Sequence, residues 1–143
     1  MTIREIREYV ESLGGVLTLA PGPGDGTPEI AWGDLFFYYA PDGVIPNTQP
    51  FATIVTKDYP DDTSSQLDRP GHFRVNLAPG KPEFERLAAE VDPSTTDALF
   101  AHPVYAAQHW LSVVNPADAT SDELRRLLAA AHALARGRAE RRG

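Results

Sequence analysis

Residues 35–57, LFFYYAPDGVIPNTQPFATIVTK, contain two apolar runs on either side of a segment rich in turn residues. The runs 35–40 and 51–57 are dense in aromatic and β-branched residues, a composition typical of β-strands. Proline, glycine, asparagine and aspartate interrupt the chain between the runs and predict turns. Because the connection is short, we expect the two strands to pair antiparallel.

The same signals extend the predicted sheet on both sides of this pair. Before it, residues 21–26 read PGPGDG and predict a loop, because proline and glycine dominate the segment. The remaining predicted elements are strands at 16–20, 29–32, 72–78 and 110–114, a helix at 82–91 and a helical turn at 95–100.

Long helices are permitted only at the two ends of the chain, because all 13 prolines lie between Pro21 and Pro116. Both ends carry apolar residues at helical spacing, which predicts an amphipathic helix at each. Both also begin with a threonine followed three residues later by a glutamate, the spacing of a capping box. These capping pairs are Thr2 with Glu5 and Thr120 with Glu123.

This order of elements predicts an α+β fold of two layers, a mainly antiparallel sheet covered on one face by the N-terminal and C-terminal helices. Residues 1–143 are expected to form this single domain, with 137–143 as a frayed basic tail. Alternation along the strand at 35–40 places Phe36 and Tyr38 on one face of the sheet and Phe37 and Tyr39 on the other. The pattern leaves open which of the two faces is the core.

The composition excludes several classes of function. The chain has no cysteine, so disulfide frameworks, thiolate nucleophiles and cysteine-based zinc sites are excluded. No apolar run approaches the ~20 residues of a membrane span, and the charged N-terminus does not resemble a secretory signal, so we expect a cytoplasmic protein. The serines, histidines and glycines also lack the spacing of a nucleophile elbow, a helical zinc clamp or a phosphate-binding loop.

The net charge of −7 is distributed unevenly along the chain. Residues 1–124 carry 7 basic and 19 acidic side chains, a net charge of −12, whereas residues 125–143 carry 6 arginines and one glutamate, a net charge of +5. An acidic body repels the phosphates that dominate nucleic-acid affinity. Binding of nucleic acid is therefore disfavoured, except at the arginine-rich C-terminal helix.

Four phrases of the sequence together resemble DUF6194, an uncharacterised and mostly actinobacterial family. They are PEIAWGD at 28–34, FFYY at 36–39, ATIVTKDYP at 52–60 and HPVY at 102–105, followed by Trp110 and by Asn115 with Pro116. The resemblance spans almost the whole chain. It implies no activity, because none is assigned to the family.

The chain is also distantly similar to the YjbR/MmcQ-like proteins, through Tyr105, Trp110 and the closing helix at 120–136. That resemblance implies a two-layer α+β fold of the YjbR/CyaY kind and, in some relatives, DNA binding. The lysine-rich segment that supports DNA binding in those proteins is replaced here by residues 106–109, AAQH.

Aromatic and polar residues within these phrases suggest a binding surface, since ligand sites combine aromatic walls with a few polar anchors. Each residue also has a simpler structural interpretation: the aromatics as helix packing, and Lys57 as a surface lysine paired with Asp58, Asp61 or Asp62. We expect a non-catalytic domain that binds a small molecule or a protein, as a monomer or a homodimer, without cofactor or metal. The candidate ligand-binding residues are Trp32, Asp34, Tyr38, Tyr39, Lys57, Tyr105 and His109.

Two alternatives remain open. One is nucleic-acid binding through the C-terminal arginines. The other is a hydrolase or isomerase in which His102 or His109 acts as an acid or base with Asp34 or Tyr105, since an unperturbed histidine titrates near neutral pH.

Overall fold

The computed structural model describes residues 1–142 and contains three α-helices and six β-strands within them. The helices are α1 (Ile3–Ser12), α2 (Lys81–Leu87) and α3 (Ser121–Arg142). Two short 3-10 turns cover Glu29–Ala31 and Ala106–Gln108. The strands are β1 (Val16–Leu19), β2 (Leu35–Tyr39), β3 (Ala52–Val55), β4 (Arg74–Leu77), β5 (Leu99–Ala101) and β6 (Leu111–Val114).

The strands form one antiparallel sheet in the order β1-β2-β3-β4-β6-β5. The predicted α+β fold with N-terminal and C-terminal helices on one face is confirmed. The pair predicted from residues 35–57 lies near the middle of the sheet, with Leu35 opposite Ile54 and Phe37 opposite Ala52. Because side chains alternate along a strand, β2 and β3 contribute residues to both faces of the sheet.

The apolar core lies between the sheet and the helices α1 and α3. Phe37 points to this face and is completely buried, which resolves the question that alternation left open. Burying a side chain of this size contributes roughly 1.5–3 kcal/mol relative to leaving it in water. The other fully buried members of the core include Ile6, Val10, Ile54, Val75, Leu77, Leu111, Val113, Leu124, Leu127 and Leu128.

The two predicted capping boxes have different outcomes. At α1 the box is confirmed: Thr2 Oγ1 accepts from the Glu5 amide at 3.1 Å, and Glu5 Oε1 accepts from the Thr2 amide at 3.0 Å. At α3 the prediction is wrong, because Asp97 from a distant loop accepts from both the amide (3.1 Å) and the hydroxyl (2.6 Å) of Thr120. Glu123 pairs instead with arginines on the helix surface.

Two predicted elements are replaced by others. The predicted strand at 29–32 is a 3-10 turn, in which the Ala31 amide donates to Pro28 O at 3.0 Å, so its backbone is satisfied locally. The predicted helical turn at 95–100 is interrupted by Asp97, whose φ of 54° is incompatible with a right-handed helix. The chain continues into β5, where Phe100 is buried opposite Ser112.

The remaining differences concern where helices end. Helix α2 stops at Leu87, because Ala88 has extended backbone angles (φ −63°, ψ 121°), so the predicted helix to Val91 is too long. Helix α3 continues to Arg142, through most of the segment 137–143 that was expected to form a frayed tail, and Gly143 lies outside the described residues. No helix within residues 1–142 combines the length and apolar composition that a membrane span requires.

Candidate ligand-binding site

A cavity of about 650 Å³ lies on the face of the sheet opposite the helices, which we call the open face. Its sheet-derived lining consists of alternate residues from β2, β3 and β4, because side chains along a strand alternate between faces. The volume falls within the range of about 300–1,000 Å³ that is typical of small-molecule sites. The cavity is therefore large enough to hold a small organic ligand.

Aromatic side chains form much of the cavity wall. Phe36 and Tyr38 reach it from β2, and Tyr59 reaches it from the loop after β3. Tyr105 and Trp110 line the opposite side, with ring centroids 6.5 Å apart, and Tyr105 is 50% exposed. Burial raises the pKa of Tyr38, so this phenol stays protonated at neutral pH. Flat apolar ligands would find ring faces on both sides of the cavity.

The floor of the cavity is polar, in contrast to its walls. Asn76 and Arg74 replace apolar residues at alternate positions of β4, and both are almost completely buried. Asn76 Oδ1 accepts from Arg74 Nε at 2.7 Å and from Ser112 Oγ at 2.8 Å, and its Nδ2 donates to Thr53 Oγ1 at 3.0 Å. These bonds hold the floor rigidly, since satisfied buried networks favour a single arrangement.

The positive charge of Arg74 is neutralised beside the cavity by Asp62. Arg74 Nη1 donates to Asp62 Oδ1 and to Ser65 Oγ, each at 3.0 Å, while Nη2 donates to Asp62 Oδ2. Burial alone would raise the pKa of Asp62, but the hydrogen bonds and charge of Arg74 outweigh it and lower the pKa. Asp62 is therefore ionised at neutral pH, and it forms a partly buried ion pair with the buried Arg74.

His102 completes the floor and is 5% exposed. Its Nδ1 accepts from the backbone amides of Val104 (3.0 Å) and Tyr105 (3.1 Å), and its Nε2 lies 3.4 Å from Arg74 Nη2. Burial and the charge of Arg74 lower the pKa of His102 to about 4. The imidazole is therefore neutral at pH 7, and it packs against the Tyr105 ring at 4.9 Å between centroids.

Asp34 and Lys57, both predicted from the sequence, meet in a polar cluster beside the cavity. Lys57 Nζ donates to Asp34 Oδ1 and to Trp32 O, each at 2.9 Å, rather than pairing with the acidic loop that follows it. Asp34 is completely buried and also accepts from the amide (2.8 Å) and hydroxyl (2.7 Å) of Thr56 and from the Tyr59 hydroxyl. This cluster fixes Tyr59, which lines the cavity.

Burial and the hydrogen bond to Asp34 raise the pKa of Tyr59, so its hydroxyl stays protonated and continues to donate. The Lys57 ammonium also lies 5.9 Å from the centroid of the Tyr59 ring. Asp34 and Lys57 thus act on the cavity through Tyr59 rather than by lining it. Trp32 is likewise outside the lining, and its indole Nε1 donates to Thr27 O at 3.3 Å.

Tyr39 and His109 are not brought to this cavity. Tyr39 lies on the helix side of the sheet, where its ring packs closely over Gly15 and contacts His132 at 5.4 Å between centroids. His109 packs against Phe84 with ring centroids 5.3 Å apart. Both Tyr39 and His109 line a second cavity of about 470 Å³ near the end of α3.

Of the seven candidate residues, the structure thus places Tyr38 and Tyr105 in the wall of the open-face cavity and Trp32, Asp34 and Lys57 beside it. Arg74, Asn76 and Asp62 also belong to the site, although none of them is predicted as a site residue from the sequence. One available signal is the pair Arg74 and Asn76 at alternate positions of the otherwise apolar segment 73–78, since buried polar residues need partners. His102 was considered only as an acid or base.

The structure also shows where the residues of the two alternatives lie, nucleic-acid binding through the C-terminal arginines and acid/base catalysis by a histidine. Three arginines of α3 pair with acids: Arg125 with Asp122, Arg126 with Glu83 and Glu123, and Arg136 with Glu140. For the acid/base alternative, His102 contacts Tyr105, whereas the carboxylate of Asp34 is bound to Thr56, Lys57 and Tyr59. His109 lies in the second cavity instead.

The chain belongs to a family of unknown function, DUF6194, whose sequence model matches residues 1–143. The family resemblance read from the four sequence phrases is therefore confirmed. No curated protein and no solved structure matches the chain.

Proposed function

We propose that this member of DUF6194 is a non-catalytic domain that binds a small molecule in the cavity on the open face of the sheet. One observation carries the proposal: a rigid polar floor, almost fully buried, lies beneath aromatic walls in a cavity of about 650 Å³. Sites for small organic molecules share this combination of an apolar enclosure and a few fixed polar groups.

In this proposal the candidate residues have two roles. Tyr38 and Tyr105 contact the ligand directly from opposite walls. Asp34 and Lys57 are positioning residues, because they hold the Tyr59 ring at the cavity edge. Trp32 supports the same cluster through its carbonyl oxygen.

Binding is favoured over acid/base catalysis by the state of His102. A general base needs a free lone pair within hydrogen-bond reach of the substrate. The lone pair of His102 Nδ1 is instead occupied by two backbone amides. The carboxylate of Asp62, which also lines the cavity, is held by Arg74. These groups are suited to recognition rather than to moving protons.

A thermal-shift screen of small aromatic and heteroaromatic metabolites tests the proposal. We expect at least one compound to raise the melting temperature, because a ligand that binds only the folded state stabilises it. Thr53→Trp places an indole in the cavity and should abolish that shift. The matched control is Thr95→Trp, at an exposed position outside the cavity, and it should retain the shift. A stabilising compound whose effect survives Thr53→Trp, or a screen without any stabilising compound, would contradict the proposal.

A further inference from the structure

Two N–H groups at the floor of the open-face cavity face each other without an acceptor between them. His102 Nδ1 accepts from the amides of Val104 and Tyr105, and backbone amides can only donate. A neutral imidazole carries one hydrogen, so that hydrogen lies on Nε2. Nε2 is 3.4 Å from Arg74 Nη2, which is itself a donor. The contact between these nitrogens is therefore not a hydrogen bond.

Arg74 has one N–H to spare at the same place. A guanidinium carries five N–H groups. Nε donates to Asn76, Nη1 donates to Asp62 and Ser65, and Nη2 donates once to Asp62. These bonds use four of the five. The second N–H of Nη2 therefore lacks an acceptor, as does the N–H of His102 Nε2. Both residues line the cavity.

The charge around these two donors disfavours an anion as their partner. Asp62 neutralises Arg74, and His102 is uncharged at neutral pH because its pKa is lowered to about 4. Asp61, exposed at the cavity, adds a further negative charge. A ligand carboxylate would meet two aspartates and only one arginine, and like charges at short range act against binding. A neutral oxygen acceptor meets no such repulsion.

We propose that the cavity recognises an uncharged carbonyl compound, an amide, ester or ketone attached to a flat apolar ring, whose oxygen accepts from both Arg74 Nη2 and His102 Nε2. One carbonyl oxygen has two lone pairs and can accept both bonds. The ring then lies between Tyr38 and the Tyr105–Trp110 wall. This inference rests on the proposed function, since it names the ligand class of the same cavity.

Three probes that share one ring distinguish recognition of a neutral carbonyl, of an anion and of the ring alone. They are benzamide with a neutral carbonyl, benzoate with a charged carboxylate, and toluene with neither group. Their dissociation constants are measured on the full wild-type chain from the change in tryptophan fluorescence during titration, since Trp110 lines the cavity. We expect benzamide to bind about tenfold more tightly than toluene, the effect of ~1.4 kcal/mol of hydrogen bonding. Benzoate is expected to bind more weakly than benzamide.

Two substitutions of His102 test the donor itself. His102→Asn keeps an acceptor where Nδ1 stands and loses the donor at Nε2, so the advantage of benzamide over toluene should fall severalfold. His102→Gln places an amide N–H near the position of Nε2 and should retain most of that advantage. An equal advantage in wild type and His102→Asn would overturn the inference.

The hydrogen on His102 can be observed without any ligand or variant. The ¹⁵N spectrum of histidine-labelled protein at pH 7 should show His102 neutral, with its hydrogen on Nε2. A hydrogen on Nδ1, a charged ring, benzoate binding more tightly than benzamide, or toluene binding as tightly as benzamide would overturn this inference alone. If none of the three probes binds, the inference is also overturned, whereas the proposed function is tested separately by the metabolite screen and its Thr53→Trp variant.

Discussion

The two faces of the sheet are built from the same strands but have opposite characters. On the helix face, Phe37, Ile54 and Val75 belong to an apolar cluster that packs against α1 and α3. On the open face, the neighbouring residues along the same strands include Thr53, Arg74 and Asn76. One face is closed by apolar packing, and the other is held by hydrogen bonds beneath a cavity.

The difference shows how stability and recognition are separated in this domain. Apolar burial on the helix face supplies the free energy of folding, since it is roughly proportional to the area removed from water. The open face keeps its polar groups satisfied and ordered, so that the cavity needs little rearrangement when a ligand enters. Removing an apolar side chain from the helix face should therefore mainly affect stability, whereas removing a wall residue of the open-face cavity should mainly affect binding.

Two adjacent phenylalanines provide the largest expected contrast. Phe37→Ala removes a fully buried ring from the helix face and should lower the free energy of unfolding by about 3–5 kcal/mol. Phe36→Ala removes a half-buried ring from the open face and should cost roughly 1 kcal/mol. Urea denaturation of the two variants measures both values. Equal losses would show that the faces do not differ in their contribution to stability.

Breaking the ion pair beneath the cavity should have the next largest effect. Asp62→Ala leaves the buried Arg74 charge without its partner and should destabilise the protein by about 3 kcal/mol. Asp61→Ala, at the exposed neighbouring acid, is the control and should change stability by less than about 0.5 kcal/mol.

Replacing both members of the ion pair separates its effect on stability from its effect on ligand binding. Arg74→Met combined with Asp62→Leu removes both charges and should recover most of the stability that Asp62→Ala loses. The advantage of benzamide over toluene should nevertheless fall severalfold, because the Nη2 donor is gone. Denaturant melts and the fluorescence titration report the two effects. A stable double variant that binds benzamide normally would exclude Arg74 from ligand recognition.

The buried His102 predicts a specific dependence of stability on pH. Its folded pKa, lowered to about 4, lies below the unfolded value of 6.5, so below pH 6.5 the unfolded state binds more protons and stability falls. From these values the loss between pH 7 and pH 5 is about 2 kcal/mol. In His102→Asn this part of the pH dependence should disappear. Parallel stability curves for the two proteins between pH 7 and pH 5 would contradict the assignment.

The smallest expected effect lies on the outer surface of the helix layer. Glu83 pairs there with Arg86 and Arg126 and joins α2 to α3. Exposed ion pairs contribute little and are screened by salt, so Glu83→Gln should shift the melting temperature by only a few degrees at low salt and less at high salt. A large shift that persists at high salt would show a structural role greater than the geometry indicates.

Local signals in the sequence are sufficient for most of the fold. The runs 35–40 and 51–57 predict β2 and β3, and the Thr2 capping box predicts the start of α1, because strand composition and helix capping depend on neighbouring residues. The start of α3 is different. Its cap comes from Asp97, more than 20 residues earlier, and no local pattern connects the two.

The site is less predictable, because its contacts also join residues that are distant in the sequence. Phe36 and Phe37 are the same residue type at adjacent positions, so alternation shows that they face opposite ways but not which of them is buried. The sequence predicts Asp34 and Lys57 separately as candidate ligand-binding residues. Their contact at 2.9 Å depends on the pairing of β2 with β3. The meeting of Arg74 with His102 depends on loops that pack over the sheet, which residue spacing does not encode.

The position of a bound probe shows directly whether the open face is the binding site. Backbone and indole N–H chemical shifts of ¹⁵N-labelled protein, recorded during titration with benzamide, map where the probe binds. The largest changes are expected at the open-face positions Phe36, Tyr38 and Thr53 and in the segment 102–105, with α1 and α3 unaffected. Changes centred instead on the second cavity, at Tyr39, His109 and the end of α3, would contradict the assignment of the open face as the binding site.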